Sequence, residues 1–272
     1  MPDRKKYEKS KLIEALDDIS KQLQEPLEAY LVGGLSMIFH GAKLATKDID
    51  IVFLDQKDAQ AFIETARKIG FVDAIDLGQE YIDLKARCVL ERKDGVRFDI
   101  FIEKVCNALS FTQSMKERAV KMYEDPLLKL YVASVEDLFL FKAVTSRSDD
   151  LADMATIAGK DIQWDIIEKE ARSQNDSWKW IGRLHGRLGE LEDEYGIPSP
   201  LKMKLSEEAE VAQAIDILVG RLEDSPISME DAAKALGEDE FDFVEKVLKE
   251  MERLGIVDEN NGLYYTIRNS SE

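Results

Sequence analysis

Two carboxylates stand two residues apart in Asp48-Ile49-Asp50-Ile51-Val52, a run separated by eleven residues from Val32-Gly33-Gly34-Leu35-Ser36. The aliphatic alternation reads as a strand, so Asp48 and Asp50 share one face while Ile49 and Ile51 take the other. Held close together on a partly buried face, the two acids repel. Either one titrates upward or a divalent cation neutralises both. Asp99, between Phe98 and Ile100 on a second strand-like run, is placed to complete an oxygen cage from a neighbouring strand. Such a triad suits Mg²⁺, which takes a few carboxylates plus waters and substrate phosphates. Gly33 and Gly34 offer backbone that a phosphate can approach with no Cβ in the way, and the helix opening after them turns free N–H groups toward that anion. Ser36 adds a hydroxyl donor. Taken singly, a Gly-Gly pair is a turn and an Asp-x-Asp run is a solvated edge strand. Their order and spacing together make the cation and phosphate reading the sharper one.

These residues need elements to hold them. Leu12, Ile13, Leu16, Ile19 and Leu23 repeat on one face of a helix over Lys9–Leu23, which Pro26 ends. The pattern then predicts a strand at Ala29–Val32, a turn at Gly33-Gly34, a helix at Leu35–His40, a strand at Asp48–Leu54 and a helix at Asp58–Ile69. Strands at Tyr81–Arg92 and Val96–Val105 are joined through Lys93-Asp94-Gly95, whose Asp-Gly pair suits a tight hairpin. The result is an α/β (α+β) unit with a mixed sheet, extending to about Asp125. From Ser134 the pattern turns helical, with Ser134–Thr145, Asp150–Gly159, Trp164–Arg172 and Trp178–Tyr195 forming a bundle. Gly196-Ile197-Pro198-Ser199-Pro200 is the linker. Helices at Glu207–Leu222, Ser228–Leu236 and Phe241–Leu254 follow, then a strand pair, Gly255–Val257 and Leu263–Ile267, around Asn260-Asn261-Gly262. Three helices and a hairpin match a winged helix. The expected domains are thus residues 1–130, 131–197 and 201–272.

On Gly33, Gly34, Ser36, Asp48, Asp50 and Asp99 the chain resembles the DNA polymerase β-like nucleotidyltransferase superfamily, whose signature is a hydrophobic strand, Gly-Gly or Gly-Ser, a gap of about ten residues, Asp-h-Asp-h and a later strand-borne acid. The resemblance implies a nucleotidyltransferase fold and transfer of an NMP group from an NTP to an acceptor, with Mg²⁺ or Mn²⁺ as cofactor. It implies Asp48 and Asp50 as shared metal ligands and Asp99 as the ligand or base for the attacking group. A second stretch, Ser134-Val135-Glu136-Asp137 with Lys142, Arg147, Asp150 and Asp153, looks like the helix pair of minimal nucleotidyltransferases and abortive-infection-type toxins. In that likeness Lys142 reaches the triphosphate and the setting is toxin–antitoxin or defence. Read as residues alone, Ser134 is a helix cap with Asp137 completing a capping box, and Lys142 and Arg147 pair with nearby acids. Two positions depart from the family pattern. Leu44 stands where many relatives carry an Arg, with Lys43 beside it as a substitute, and Asp149 stands where relatives carry a Lys. The alternative to an enzyme is therefore a catalytically silent scaffold acting as a binding or regulatory module.

Composition narrows the field. The 37 basic and 55 acidic residues give a net charge of −18, and 44% of residues are hydrophobic, enough for a sizeable core in about two domains. No run of about 18 apolar residues occurs and Met1–Leu12 is charged, so neither membrane insertion nor secretion is expected and the chain reads as cytoplasmic. With Cys88 and Cys106 far apart and only His40 and His185 as imidazoles, zinc spacing and a disulfide framework are excluded. Leu201–Glu272 carries 8 basic and 18 acidic residues. Phosphate repulsion argues against DNA as its partner, and a protein or a second copy of the chain is expected instead. Trp164, Trp178 and Trp180 read as packing residues. The acceptor could be a protein, a small molecule or RNA.

Overall fold

The apolar runs around Leu31, Ile51 and Ile100 form the centre of a mixed sheet in the computed structural model, which describes residues 5–75, 86–106, 108–145, 147–238 and 241–267. The chain divides into two units, Met1–Asn175 with Gly189–Pro198, and Asp176–Leu188 with Ser199–Glu272.

The first unit opens with β1 (Tyr7–Glu8), α1 (Lys9–Ser20), β2 (Leu27–Val32), α2 (Gly33–Phe39), β3 (Ala45–Thr46) and β4 (Ile49–Phe53). It continues through α3 (Gln56–Lys68), β5 (Val72–Asp73), β6 (Cys88–Glu91), β7 (Arg97–Ile102), β8 (Lys104–Val105) and β9 (Leu109–Ser110). Then come α4 (Gln113–Arg118), β10 (Val120–Asp125), β11 (Leu128–Val132), α5 (Val135–Ala143), α6 (Ser148–Ala158) and α7 (Trp164–Ser173). The main sheet has the order β10-β11-β2-β4-β7-β6-β5. β2 runs antiparallel to β4, and β4 runs parallel to β7 with Asp50 opposite Asp99. Strand alternation sorts the residues as the sequence pattern requires. Ile49, Ile51, Phe53, Phe98 and Ile100 are fully buried in a core with Leu12, Leu16 and Ile19 of α1 and Phe62 of α3. The opposite face carries Asp50 and Asp99 together with Val52 and Phe101.

Several expected boundaries shift. The Gly33-Gly34 turn is the first turn of α2 itself, and β2 begins at Leu27. Of the strand expected over Tyr81–Arg92, residues 81–85 lie outside the described residues, and the pairing covers Cys88–Glu91. The following strand stops at Ile102, because Glu103 takes φ +58° and turns the chain. The hairpin through Lys93-Asp94-Gly95 is present, held by Arg92 N–H to the Val96 carbonyl at 2.9 Å and by Tyr7 Oη donating to the Asp94 carbonyl at 2.7 Å.

The helix α8 (Ser177–Tyr195) gives residues to both units. The second unit contains α9 (Pro200–Leu222), β12 (Ile227–Ser228), α10 (Met229–Leu236), α11 (Phe241–Arg253), β13 (Val257–Asn260) and β14 (Leu263–Thr266). Ser199 caps α9, with Pro200 in its first turn, and Ser228 with Asp231 forms a reciprocal capping box on α10. The strands pair antiparallel in the order β12-β14-β13. Ile215, Leu218, Val244, Val247, Leu248 and Met251 fill a core of their own. Among the described residues no helix is long and apolar enough to cross a membrane.

Candidate functional site

Asp50 is the residue around which the site is built. Antiparallel register sets it opposite Val32, so its carboxylate meets the chain just where β2 gives way to α2. Gly33 has φ +65°, and a Cβ there would collide with the Asp50 carboxylate. Gly34 donates its N–H to Asp50 Oδ2 at 3.4 Å, and a Cβ on Gly34 would strike the Thr46 side chain. The two glycines are therefore demanded by how closely α2 seats on β4 and β3. Burial, followed by the nearby Asp48 carboxylate, pushes the Asp50 carboxyl up to about 6, against the opposing pull of Lys142, Arg147 and the Gly34 N–H.

Lys142 enters from the last turn of α5, and Arg147 from the connection to α6. Their common partner is Asp150, which is 1% exposed and accepts from Lys142 Nζ, from Thr145 Oγ1 and from Arg147 Nε at 2.7 Å. Burial alone would raise the Asp150 carboxyl, but the two cations outweigh it and hold the group well below the usual carboxylate range. Burial likewise pulls the Lys142 ammonium down, and Asp150 and Asp153 outweigh it and keep it charged. Val32, Gly33, Asp50, Phe101, Val105, Cys106, Phe141, Lys142, Thr145, Arg147 and Asp150 enclose one small cavity of about 30 Å³. The Cys106 thiol is pushed up to about 12 by burial and then by Asp50, so it stays protonated.

The structure thus brings Gly33, Asp50 and Lys142 to one cavity, with Gly34 bonded to Asp50 from behind. Asp48 sits at the mouth of β4, where its Oδ1 is 4.0 Å from Arg97 Nε, and Asp99 is buried on β7 beside Asp50. Ser36 is not brought there. It is fully buried, and its hydroxyl donates to the Leu31 carbonyl at 2.6 Å, tying α2 back onto β2. Lys43 is bonded to Asp153 and does not line the cavity. Among the described residues no three His, Cys, Asp or Glu side chains converge closely enough to hold a metal ion unaided. Arg147 and Asp150 belong to the cavity although their sequence pattern reads equally well as helix ion pairing. Cys106 gives no sequence signal, because it arrives through an irregular loop with left-handed residues at Glu103 and Cys106.

Comparison with known proteins sets this geometry in context. Two Helicobacter pylori crystal structures resemble the chain. JHP933 is 14% identical with a TM-score of 0.35, covering 90% of this chain and 94% of its own. A second protein, provisionally named a nucleotidyltransferase, is 15% identical with a TM-score of 0.35, covering 93% and 97%. Comparison with curated proteins gives no match. The sequence profile of one family fits residues 10–184, well over half of the chain and all of the cavity described above. The chain belongs to that family, described as "Nucleotidyltransferase of unknown function (DUF6036)".

Proposed function

We propose that the chain is a metal-dependent nucleotidyltransferase that moves an NMP group from an NTP to an acceptor hydroxyl on a protein, a small molecule or RNA. The observation that carries this reading is the meeting of Asp50, the Gly33 backbone and the Lys142 and Arg147 cations in one cavity, in a chain of a nucleotidyltransferase family. Burial and the Asp48 carboxylate raise the cost of ionising Asp50, and a divalent cation relieves it. Mg²⁺ needs only one or two carboxylates when waters and substrate phosphates supply the rest, so this donor set fits it without a preformed cage. Asp48 and Asp50 would hold the ion, with Asp99 beside them in register. Bound there, it would offset the triphosphate charge and polarise the acceptor oxygen.

The chain's own residues do the remainder. Lys142 and Arg147 take phosphate oxygens, and Gly33 lets the chain approach without a side chain between. Val32, Phe101, Val105 and Phe141 supply the apolar part of the cavity wall. A bond forms between the acceptor oxygen and the α-phosphorus as the bond to the β-phosphate bridge breaks. Pyrophosphate leaves, and the acceptor proton passes to a carboxylate, for which Asp99 is the candidate. The cavity as it stands has room for about one water, so nucleotide entry parts its walls. The test is incubation with each α-labelled NTP, Mg²⁺ or Mn²⁺ and cell lysate. A labelled acceptor that disappears with Asp50→Asn supports the reading. Absence of both NTP binding and labelling in the unsubstituted chain favours the silent scaffold.

A further inference from the structure

The Lys43 ammonium is spent on Asp153, lying 2.8 and 3.0 Å from its two carboxylate oxygens. Asp153 Oδ2 in turn lies 3.0 Å from Lys142 Nζ. Lys142 also bonds Asp150, which pairs with Arg147. The five side chains form a ladder of alternating charge, Lys43, Asp153, Lys142, Asp150, Arg147, running from the connection between α2 and β3 across α5 and α6 into the cavity. Its inner members are buried: Asp150 is 1% exposed, Asp153 8% and Lys142 9%. Charges in such a setting are weakly screened by salt, so the net charge of the ladder, together with Asp50, sets what the cavity attracts. Without Lys43 the two acids cancel Lys142 and Arg147. With it, the ladder carries one net positive charge.

We infer that Lys43 is a positioning residue acting through Asp153. By neutralising that carboxylate it lets Lys142 present net positive charge to the polyphosphate of a nucleoside triphosphate. The inference rests on the nucleotidyltransferase reading above and deepens it, because it places Lys43 one step behind the phosphate instead of against it.

The test is calorimetric titration of the full chain with inorganic tripolyphosphate and with ATP, Mg²⁺ present, alongside thermal unfolding of each variant. Lys43→Gln should weaken binding roughly tenfold, the effect of one unit charge in a partly buried site. Lys43→Arg should keep it. The double variant Lys43→Gln with Asp153→Asn should regain the original affinity, because removing both members of the pair restores the net charge. A direct Lys43–phosphate contact predicts no recovery in the double variant, and that result overturns the inference while leaving the nucleotidyltransferase reading intact. A pair that is only structural lowers the unfolding midpoint of Lys43→Gln with affinity unchanged, which overturns it equally. Should Lys43→Gln fail to fold, Asp153→Asn alone decides: binding as tight as or tighter than the original supports the ladder, and weaker binding refutes it. If the unsubstituted chain binds neither ligand, the functional reading falls and this inference falls with it.

Discussion

A methyl group on Gly33 would occupy space that the Asp50 carboxylate already fills, at a backbone conformation, φ +65°, that costs an L-residue about 1–2 kcal/mol. Gly41 offers the natural control, for its φ is +63° but a Cβ there meets nothing within 4 Å. Gly41→Ala should therefore show only the backbone cost, and Gly33→Ala should lose more stability than that and lose nucleotide affinity as well. Urea denaturation of both variants measures the difference. Equal losses would mean that Asp50 does not sit against α2. The juxtaposition was legible in the sequence to the extent that alternation fixes faces: Asp48 and Asp50 on one side, the isoleucines in the core. The role of Ser36 was not legible, because a hydroxyl in the first turn of a helix can turn outward to an anion or back to the Leu31 carbonyl, and only the packing of α2 on β2 decides.

Helices α4, α5 and α7 are joined by one guanidinium. Arg118 bonds Asp137, in the first turn of α5, and Glu170 of α7, whose side chains are 0% and 3% exposed. Ser134 donates a second bond to Asp137, and Thr112 and Ser173 donate to Glu170. Breaking a buried pair by removing one partner costs about 3–5 kcal/mol, and Arg118, itself 24% exposed, belongs at the lower end. Arg118→Ala should thus cost about 3 kcal/mol in chemical denaturation and, since α5 carries Lys142, weaken nucleotide binding too. A loss under about 1 kcal/mol would show that the two acids find other partners. This junction was hidden in the sequence because its members lie 19 and 52 residues apart. Helices α5 and α7 are readable from the sequence pattern, as are strands β2, β4 and β7, whereas the short α4, with Met115 its one buried residue, is not. The hairpin of β10 and β11 is hard to read from the sequence. β10, Val-Lys-Met-Tyr-Glu-Asp, is an exposed edge with little apolar signal, whereas Leu128, Leu130 and Val132 of β11 alternate plainly and pair parallel with β2. That parallel pairing joins the hairpin to the sheet on the side from which the chain turns into α5.

Across the whole molecule the charge is lopsided: Leu201–Glu272 holds 18 acidic and 8 basic residues. Three helices and a small sheet would normally invite a duplex reading, with α11 laid in the major groove. The cations of α11 are already engaged, for Lys246 pairs with Glu207, Lys249 with Glu245 and Arg253 with Glu250. Duplex affinity grows from basic side chains releasing counterions from phosphates, and here each such contact would first break an ion pair beside further acids. Exposed apolar residues of this unit, among them Phe241, Leu263, Tyr265 and Ile267, suit a protein surface better than a phosphate backbone. The full chain is therefore expected to leave the fluorescence anisotropy of a labelled random duplex unchanged at physiological ionic strength, and to stay unbound when salt is lowered. Lowering salt strengthens any phosphate-driven contact, so binding that appears and tightens as salt falls would overturn this expectation and direct the search for the acceptor toward DNA.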